Sequence, residues 1–198
     1  MKIRFAIAAA PVLSIWIAGA ATAAPVKYTI DPEHTYPSFE ADHFGGLSTW
    51  RGKFTKTSGT IVYDKEAGSG TLDITIDPAS VDTGHDKLND HVRTGPDMLD
   101  VKKYPTATYT GKLARFVNGA PTEVDGTLTL HGVSKPVILK IDRFDCRAHP
   151  MKKGQNVCGA NATSTIDRGA FGVDWGKSYG FKMDVKLEIQ VEALTAAQ

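Results

Sequence analysis

The sequence predicts an all-β fold, an antiparallel β-barrel of about eight strands with a short helical lid segment, and three observations predict it. Residues 181–193 alternate without a break: Phe181, Met183, Val185, Leu187, Ile189, Val191 and Ala193 share one face, against Lys182, Asp184, Lys186, Glu188, Gln190 and Glu192 on the other. Shorter runs of the same period recur along the chain, separated by single Gly and Pro residues rather than by linkers or low-complexity tracts. Only residues 77–111 depart from the pattern, with a polar stretch rich in His and Asp at helical spacing.

Residues 1–23 read as an export signal: Lys2 and Arg4 precede an apolar run, and Ala21-Thr22-Ala23 supplies the small residues of a cleavage site after Ala23. Pro11 and the lack of a stop-transfer flank argue against a permanent anchor. Residues 24–198 then form one domain, long enough to bury a full core. Its strands are expected at 26–31, 38–44, 49–54, 58–64 and 71–76, the last placing Leu72, Ile74 and Ile76 on one face. A helix follows at 84–94, capped by Thr83 or Asp82, with Leu88 and Val92 toward the barrel and Asp86, Lys87, Asn89, Asp90 and Arg93 toward water. Strands resume at 106–116, where Ala107, Tyr109 and Leu113 oppose Thr106, Thr108 and Thr110, and at 123–131, 137–144, 160–167 and 181–193. His131-Gly132 turns a hairpin between Leu130 and the strand after Pro136.

The chain has 23 Lys and Arg against 22 Asp and Glu, and loss of Lys2 and Arg4 with the leader leaves a slight negative balance. Nothing in that balance is a nucleic-acid footprint. Cys146 and Cys158, twelve positions apart in an exported chain, are expected to form one disulfide in a peripheral hydrophilic hairpin that carries Lys152 and Lys153.

Catalytic patterns are weak. His85 and His91 are six apart on the expected helix and point to separate faces, so with Asp86 and Asp90 they make no metal grip, and no metal is expected. There is no G-x-S-x-G elbow and no phosphate loop, and Asp97 and Asp100 read as ties for the loop around Pro96. The apolar complement is large, including Phe39, Phe44, Trp50, Phe54, Met98, Tyr109, Phe144, Phe171, Trp175, Phe181 and Met183. Alternation alone leaves open whether these fill the barrel or line a lumen.

Several linked motifs carry a family resemblance: YTIDPEHTYPSFEADHF with RGKF, DPASVDTG followed by Asp90-His91, DMLDVKKYPTATY, LTLHGVSKPVIL and TIDRGAFGV. In these the chain resembles the YceI-like family of periplasmic lipocalin-like proteins, from Tyr28 to about Ala193. The resemblance implies a lipocalin-like barrel around an elongated apolar cavity for a polyisoprenoid or similar long-chain amphiphile, with no catalytic residues and no cofactor beyond that ligand. His34, Phe39, His43, Phe54, Asp90, His91, Asp97, Asp100, Tyr104, Arg168 and Phe171 occupy family-pattern positions. Asn89 and Met98-Leu99 depart from the pattern, where Arg and an aromatic pair are usual.

On this reading the cavity candidates are Phe39, His43, Phe54, Leu72, Ile74, Asp90, His91, Met98, Leu99, Tyr109, Leu128, Leu130, Phe171 and Met183, with the polar end beside Asp90, His91, Asp97 and Asp100. The expected function is a non-enzymatic periplasmic carrier of an isoprenoid quinone or polyprenyl lipid, in transient contact with the membrane. An exposed edge strand would support a homodimer. Two other classes compete: a periplasmic enzyme or redox accessory using the lid His and Asp residues, and a ligand-free module docking on a membrane complex.

Overall fold

The computed structural model describes residues 24–197, so the expected leader lies outside the described residues. The elements are β1 (Val26–Ile30), β2 (Tyr36–His43), β3 (Ser48–Phe54), β4 (Thr57–Asp64), β5 (Ser69–Ile76), β6 (Val81–Asp82), α1 (Asp86–Thr94), β7 (Ala107–Val117), β8 (Ala120–Leu130), β9 (Val133–Ala148), β10 (Asn156–Asp167) and β11 (Asp184–Leu194). Antiparallel pairing runs β1-β4-β5-β7-β8-β9-β10-β11 and returns from β11 to β1, which closes the barrel on eight staves. Closure removes the free edges that an open sheet of this size would leave.

Two staves are broken, and polar side chains make the breaks. β11 pairs with β1 through Ile30 and Ala193 near one end and with β2 through Leu187 and Phe39 near the other. Between them, Thr35 Oγ1 donates to the Glu192 carbonyl and accepts from the Glu192 N–H, both at 3.1 Å, so a hydroxyl takes over where the backbone leaves the ladder. Asp31 fixes the same kink by accepting from the Glu33 N–H and pairing with His34 Nδ1, each at 3.0 Å. The second break lies between β3 and β4, where Thr55 Oγ1 donates to the Ser80 carbonyl and the Lys56 N–H donates to Ser80 Oγ. As a result β2, β3 and β6 flare together at one end, pairing Phe54 with Val81.

α1 covers that flared end. Val92 is buried and Leu88 packs beside it, in a cluster with Val81, Leu99, Phe39, Phe54 and Leu130, as the i, i+4 spacing predicts. Two local expectations are corrected. The N-cap is His85, whose Nδ1 accepts from the Leu88 N–H, and neither Thr83 nor Asp82 caps the helix. Asn89 is buried rather than wet: its Oδ1 accepts from both the N–H and the Oγ1 of Thr83, and its Nδ2 donates to Asp82 Oδ1. Those bonds offset the desolvation of the amide and tie the helix to β6.

The disulfide joins Cys146 and Cys158, but not in a peripheral loop. The two are directly paired on β9 and β10, with Cα atoms 4.0 Å apart, and Cys158 is buried with Tyr28, Ile30, Tyr63 and Ala193. A register shift at Asn161/Ala162 explains the error. It moves the inward positions of β9 from Val137, Leu139 and Ile141 to Phe144 and Cys146, so the second half of the strand turns the faces that plain alternation would put outward. The hydrophilic tip is only the turn beyond, where His149 Nδ1 accepts from the N–H groups of Met151 and Lys152.

Candidate ligand-binding cavity

The inward faces of the staves enclose an elongated cavity of about 290 Å³. Leu72, Ile74, Leu113 and Leu128 point inward from β5, β7 and β8 yet are only half-buried, because the surface they leave open faces a lumen. A filled core would have buried them. The interior is therefore hollow, which alternation alone left undecided.

Tyr28, Tyr63, Phe144, Ala193 and the Cys158 end of the disulfide line the lower end, which forms a floor. The Tyr63 ring meets Phe144 edge-on at 5.4 Å, and the Tyr63 hydroxyl donates to the Gly119 carbonyl. Burial raises the phenol pKa of both Tyr28 and Tyr63, so this end is neutral as well as aromatic.

The opposite end is the mouth, lined by half-buried Trp50 and Trp175 together with Phe181, Asp42 and Arg168. Asp42 and Arg168 are the charged residues of the lining, and both sit at this end. Backbone N–H groups of Lys182 at 2.9 Å and Gly45 at 2.8 Å hold the Asp42 carboxyl below the usual carboxylate range. The Arg168 guanidinium donates to the carbonyls of Val173 at 2.7 Å and Trp175 at 3.0 Å, which folds residues 168–175 around it. Its burial lowers the guanidinium pKa, opposed by the charges of Asp174, Asp167 and Asp42. His131 ties the β8–β9 turn to this loop, its Nδ1 3.2 Å from the Phe171 carbonyl. The Trp175 N–H donates to the Asp97 carbonyl, so the 95–106 segment is fastened to it too.

Nine of the sequence candidates line the cavity: Phe39, Phe54, Leu72, Ile74, Met98, Leu99, Tyr109, Leu128 and Leu130. Five stand outside the lining. His43 stacks on Trp50 at 4.5 Å and meets Phe181 edge-on at 5.3 Å, bracing mouth residues without replacing them. Asp90 is on the wet face of α1, paired with Arg93 at 3.6 Å. His91 packs edge-on against Trp175 at 4.6 Å, with its Nε2 buried and unpartnered among the described residues. Phe171 is fully buried in the core beside Val173 and Val185. Met183 precedes β11, where the strand pairing has already stopped, and lies against Gly169.

The polar end is thus displaced from the expected set. Asp97 and Asp100 tie the loop through their carbonyls, Asp100 accepting from the N–H groups of Lys103 and Tyr104 at 2.9 Å. Asp42, Trp50, Trp175 and Arg168 occupy the mouth instead. The motif TIDRGAFGV marks Arg168 as a family position, but no period in residues 168–180 says which way its side chain turns. Among the described residues no three His, Cys, Asp or Glu side chains cluster as a metal site requires.

The model of the YceI-like domain matches residues 28–193. A UPF0312 protein of Pseudomonas aeruginosa is 32% identical over 184 residues, covering 91% of this chain and 92% of its own. The crystal structure of the Campylobacter jejuni YCEI protein superposes with a TM-score of 0.62 at 28% identity, over 76% of this chain and 87% of that one. A polyisoprenoid binding domain from Saccharophagus degradans shares the fold, with a TM-score of 0.59 at 18% identity over 86% of this chain and 99% of the domain.

Proposed function

This chain belongs to the YceI-like family, and from that premise we propose that it is a non-enzymatic carrier that holds a long-chain isoprenoid or comparable amphiphile, tail in the barrel and head at the mouth. One observation carries the reading: the lining is apolar along its length and has its charged residues, Asp42 and Arg168, at one end only. A molecule that satisfies such a lining has a long uncharged chain and a single polar terminus.

Burial of that chain provides the affinity, at about 0.8 kcal/mol for each CH₂ removed from water. The wall is closed by main-chain pairing and the lumen is already open, which lowers the ordering cost of taking up a chain. Arg168 presents a cation at the mouth, which favours a head group with carbonyl or phosphoryl oxygens. The ligand class is the one in the name of the Saccharophagus degradans domain that shares this fold. Action in the periplasm is supported by the export signal read in residues 1–23 and by the Cys146–Cys158 disulfide, since disulfides persist in oxidising compartments.

The test is organic extraction and mass spectrometry of protein purified from the periplasm without an affinity tag. One isoprenoid or long-chain amphiphile per chain supports the carrier. A protein free of lipid that also fails to take up added prenyl alcohol overturns it in favour of a docking module, and a stoichiometric metal in its place favours an enzyme built on the lid.

A further inference from the structure

We propose that the rim of the mouth is a membrane-docking surface that sets the barrel mouth-down on a phospholipid bilayer. The proposal rests on the reading of the lumen as a site for a lipid tail, and names where that lipid enters.

Two loops form the rim, residues 44–47 between β2 and β3 and residues 176–182 before β11. They meet closely: a Cβ added to Gly45 would stand 3.1 Å from the Gly180 carbonyl oxygen. Their tips carry Phe44, Leu47 and Tyr179, which are 55%, 78% and 70% exposed. Phe44 is held at φ 51, a left-handed conformation that a bulky residue rarely adopts, so the turn carries a conformational cost while more than half of the residue stays exposed.

The exposed rings are continuous with the lumen. Phe44 contacts Phe181 at 4.9 Å, Phe181 contacts Trp175 at 5.4 Å, and Trp175 approaches Tyr179 at 6.3 Å. Phe181 and Trp175 line the cavity, so an apolar path leads from the outermost tips to the inside of the barrel. Aromatic and aliphatic tips of this kind enter the boundary between head groups and acyl chains. A lipid tail that left the bilayer there would reach the lumen without crossing water.

Charge at the tips matches a phosphate layer. Residues 44–47 and 176–182 include Lys177 and Lys182 but no carboxylate, and Lys182 Nζ lies 3.5 Å from the Cβ position of Gly46. Asp42, next to the turn, accepts from the Gly45 and Lys182 N–H groups and lies close enough to Lys182 to offset part of its charge, while Asp174 and Asp184 flank the loops in sequence. The floor end offers a comparison. Val26, Val117 and Met151 are also exposed there, but they lie over the floor formed by Tyr28, Tyr63 and Phe144.

The experiment is flotation of the mature chain with vesicles of equal parts phosphatidylethanolamine and phosphatidylglycerol, with Trp emission followed in parallel. The expected result is flotation with a blue-shifted emission, reduced at least tenfold in Phe44→Ser/Leu47→Ser and unchanged in Met151→Ser. Uptake of farnesol added from ethanol, measured on the same three proteins, keeps the two readings apart. Intact farnesol uptake with no flotation, or equal loss of flotation in Met151→Ser, overturns the docking surface and leaves the carrier standing. Flotation sensitive to the tips with no farnesol uptake in any protein supports docking and overturns the carrier. If Leu47→Ser instead converts a dimer to a monomer in sedimentation and the wild type does not float, the rim is a contact between two copies and the proposal fails.

Discussion

Tyr109 lies flat over Gly126: a Cβ at position 126 would stand 2.3 Å from both the Cζ and the hydroxyl oxygen of the Tyr109 ring. The missing side chain lets the ring cross β8, so that its hydroxyl donates to the Val137 carbonyl at 2.9 Å and approaches the Val124 carbonyl at 3.3 Å. One phenol thereby braces three staves and keeps its polar atom out of the lumen, where burial raises its pKa well above the usual phenol value.

Gly126→Ala is expected to destabilise the barrel by about 1 to 3 kcal/mol, since the ring has to leave its place. Urea denaturation measures this. In a Tyr109→Leu background the same substitution is expected to cost much less, because the clash partner is shorter, and equal costs in the two backgrounds would detach the effect from the ring.

A pH-dependent contact fixes the kink between β1 and β2. Asp31 is desolvated, which raises its pKa, but the His34 hydrogen bond and the Glu33 N–H prevail and lower it below 3.8. The same bond raises His34 above 6.5. The His34 contribution is complete below pH 6.5 and is lost as pH rises through its folded value; the Asp31 contribution is present above 3.8 and is lost as pH falls through its own. NMR titration of the His34 ring should give a midpoint above 6.5 that Asp31→Asn returns toward that value. An unchanged midpoint in the variant would remove Asp31 as the cause.

The disulfide closes the floor of a cavity, which sets its accessibility. Cys158 is 9% exposed, so the bond is expected to resist a water-soluble reductant in the native protein and to yield in urea. The paired Cys146→Ala/Cys158→Ala variant should lose on the order of 3 kcal/mol by the chain-entropy model. Thiol counts with and without urea, beside unfolding curves of both proteins, check the two statements. Rapid native reduction would place the bond at the surface, as the hydrophilic residues between the cysteines suggest at first sight.

That misplacement shows what the sequence conceals. Every expected strand is present, because Leu72/Ile74 and Val185/Leu187/Ile189/Val191 carry a burial pattern that only an inward face explains. Register is a property of pairs, however, and the shift opposite Asn161/Ala162 reverses the inward parity of β9 without any mark in its own residues. Alternation beyond the end of a strand misleads in the same way: Met183 keeps the period of Val185 but lies before the first residue of β11. The mouth was the least legible part. Asp42, Trp50, Trp175 and Arg168 converge from β2, β3 and the loop before β11, and no spacing in the chain links those three segments.

The hollow lumen gives the most decisive test, at Leu128 on β8, which points inward and is only half-buried. Leu128→Trp adds an aromatic ring to a stave that faces the open lumen. If a lipid tail occupies that space, the ring competes with it for the same volume, and bound lipid measured by extraction should fall severalfold. Stability should fall by less than the 1 to 3 kcal/mol, roughly, that overpacking costs in a filled core, because the lumen can accept the added atoms. Lipid occupancy and melting temperature therefore have to be read on the same preparation. A large drop in melting temperature with lipid content unchanged would mean that the space beside Leu128 is packed in solution and that the ligand, if one is bound, lies elsewhere.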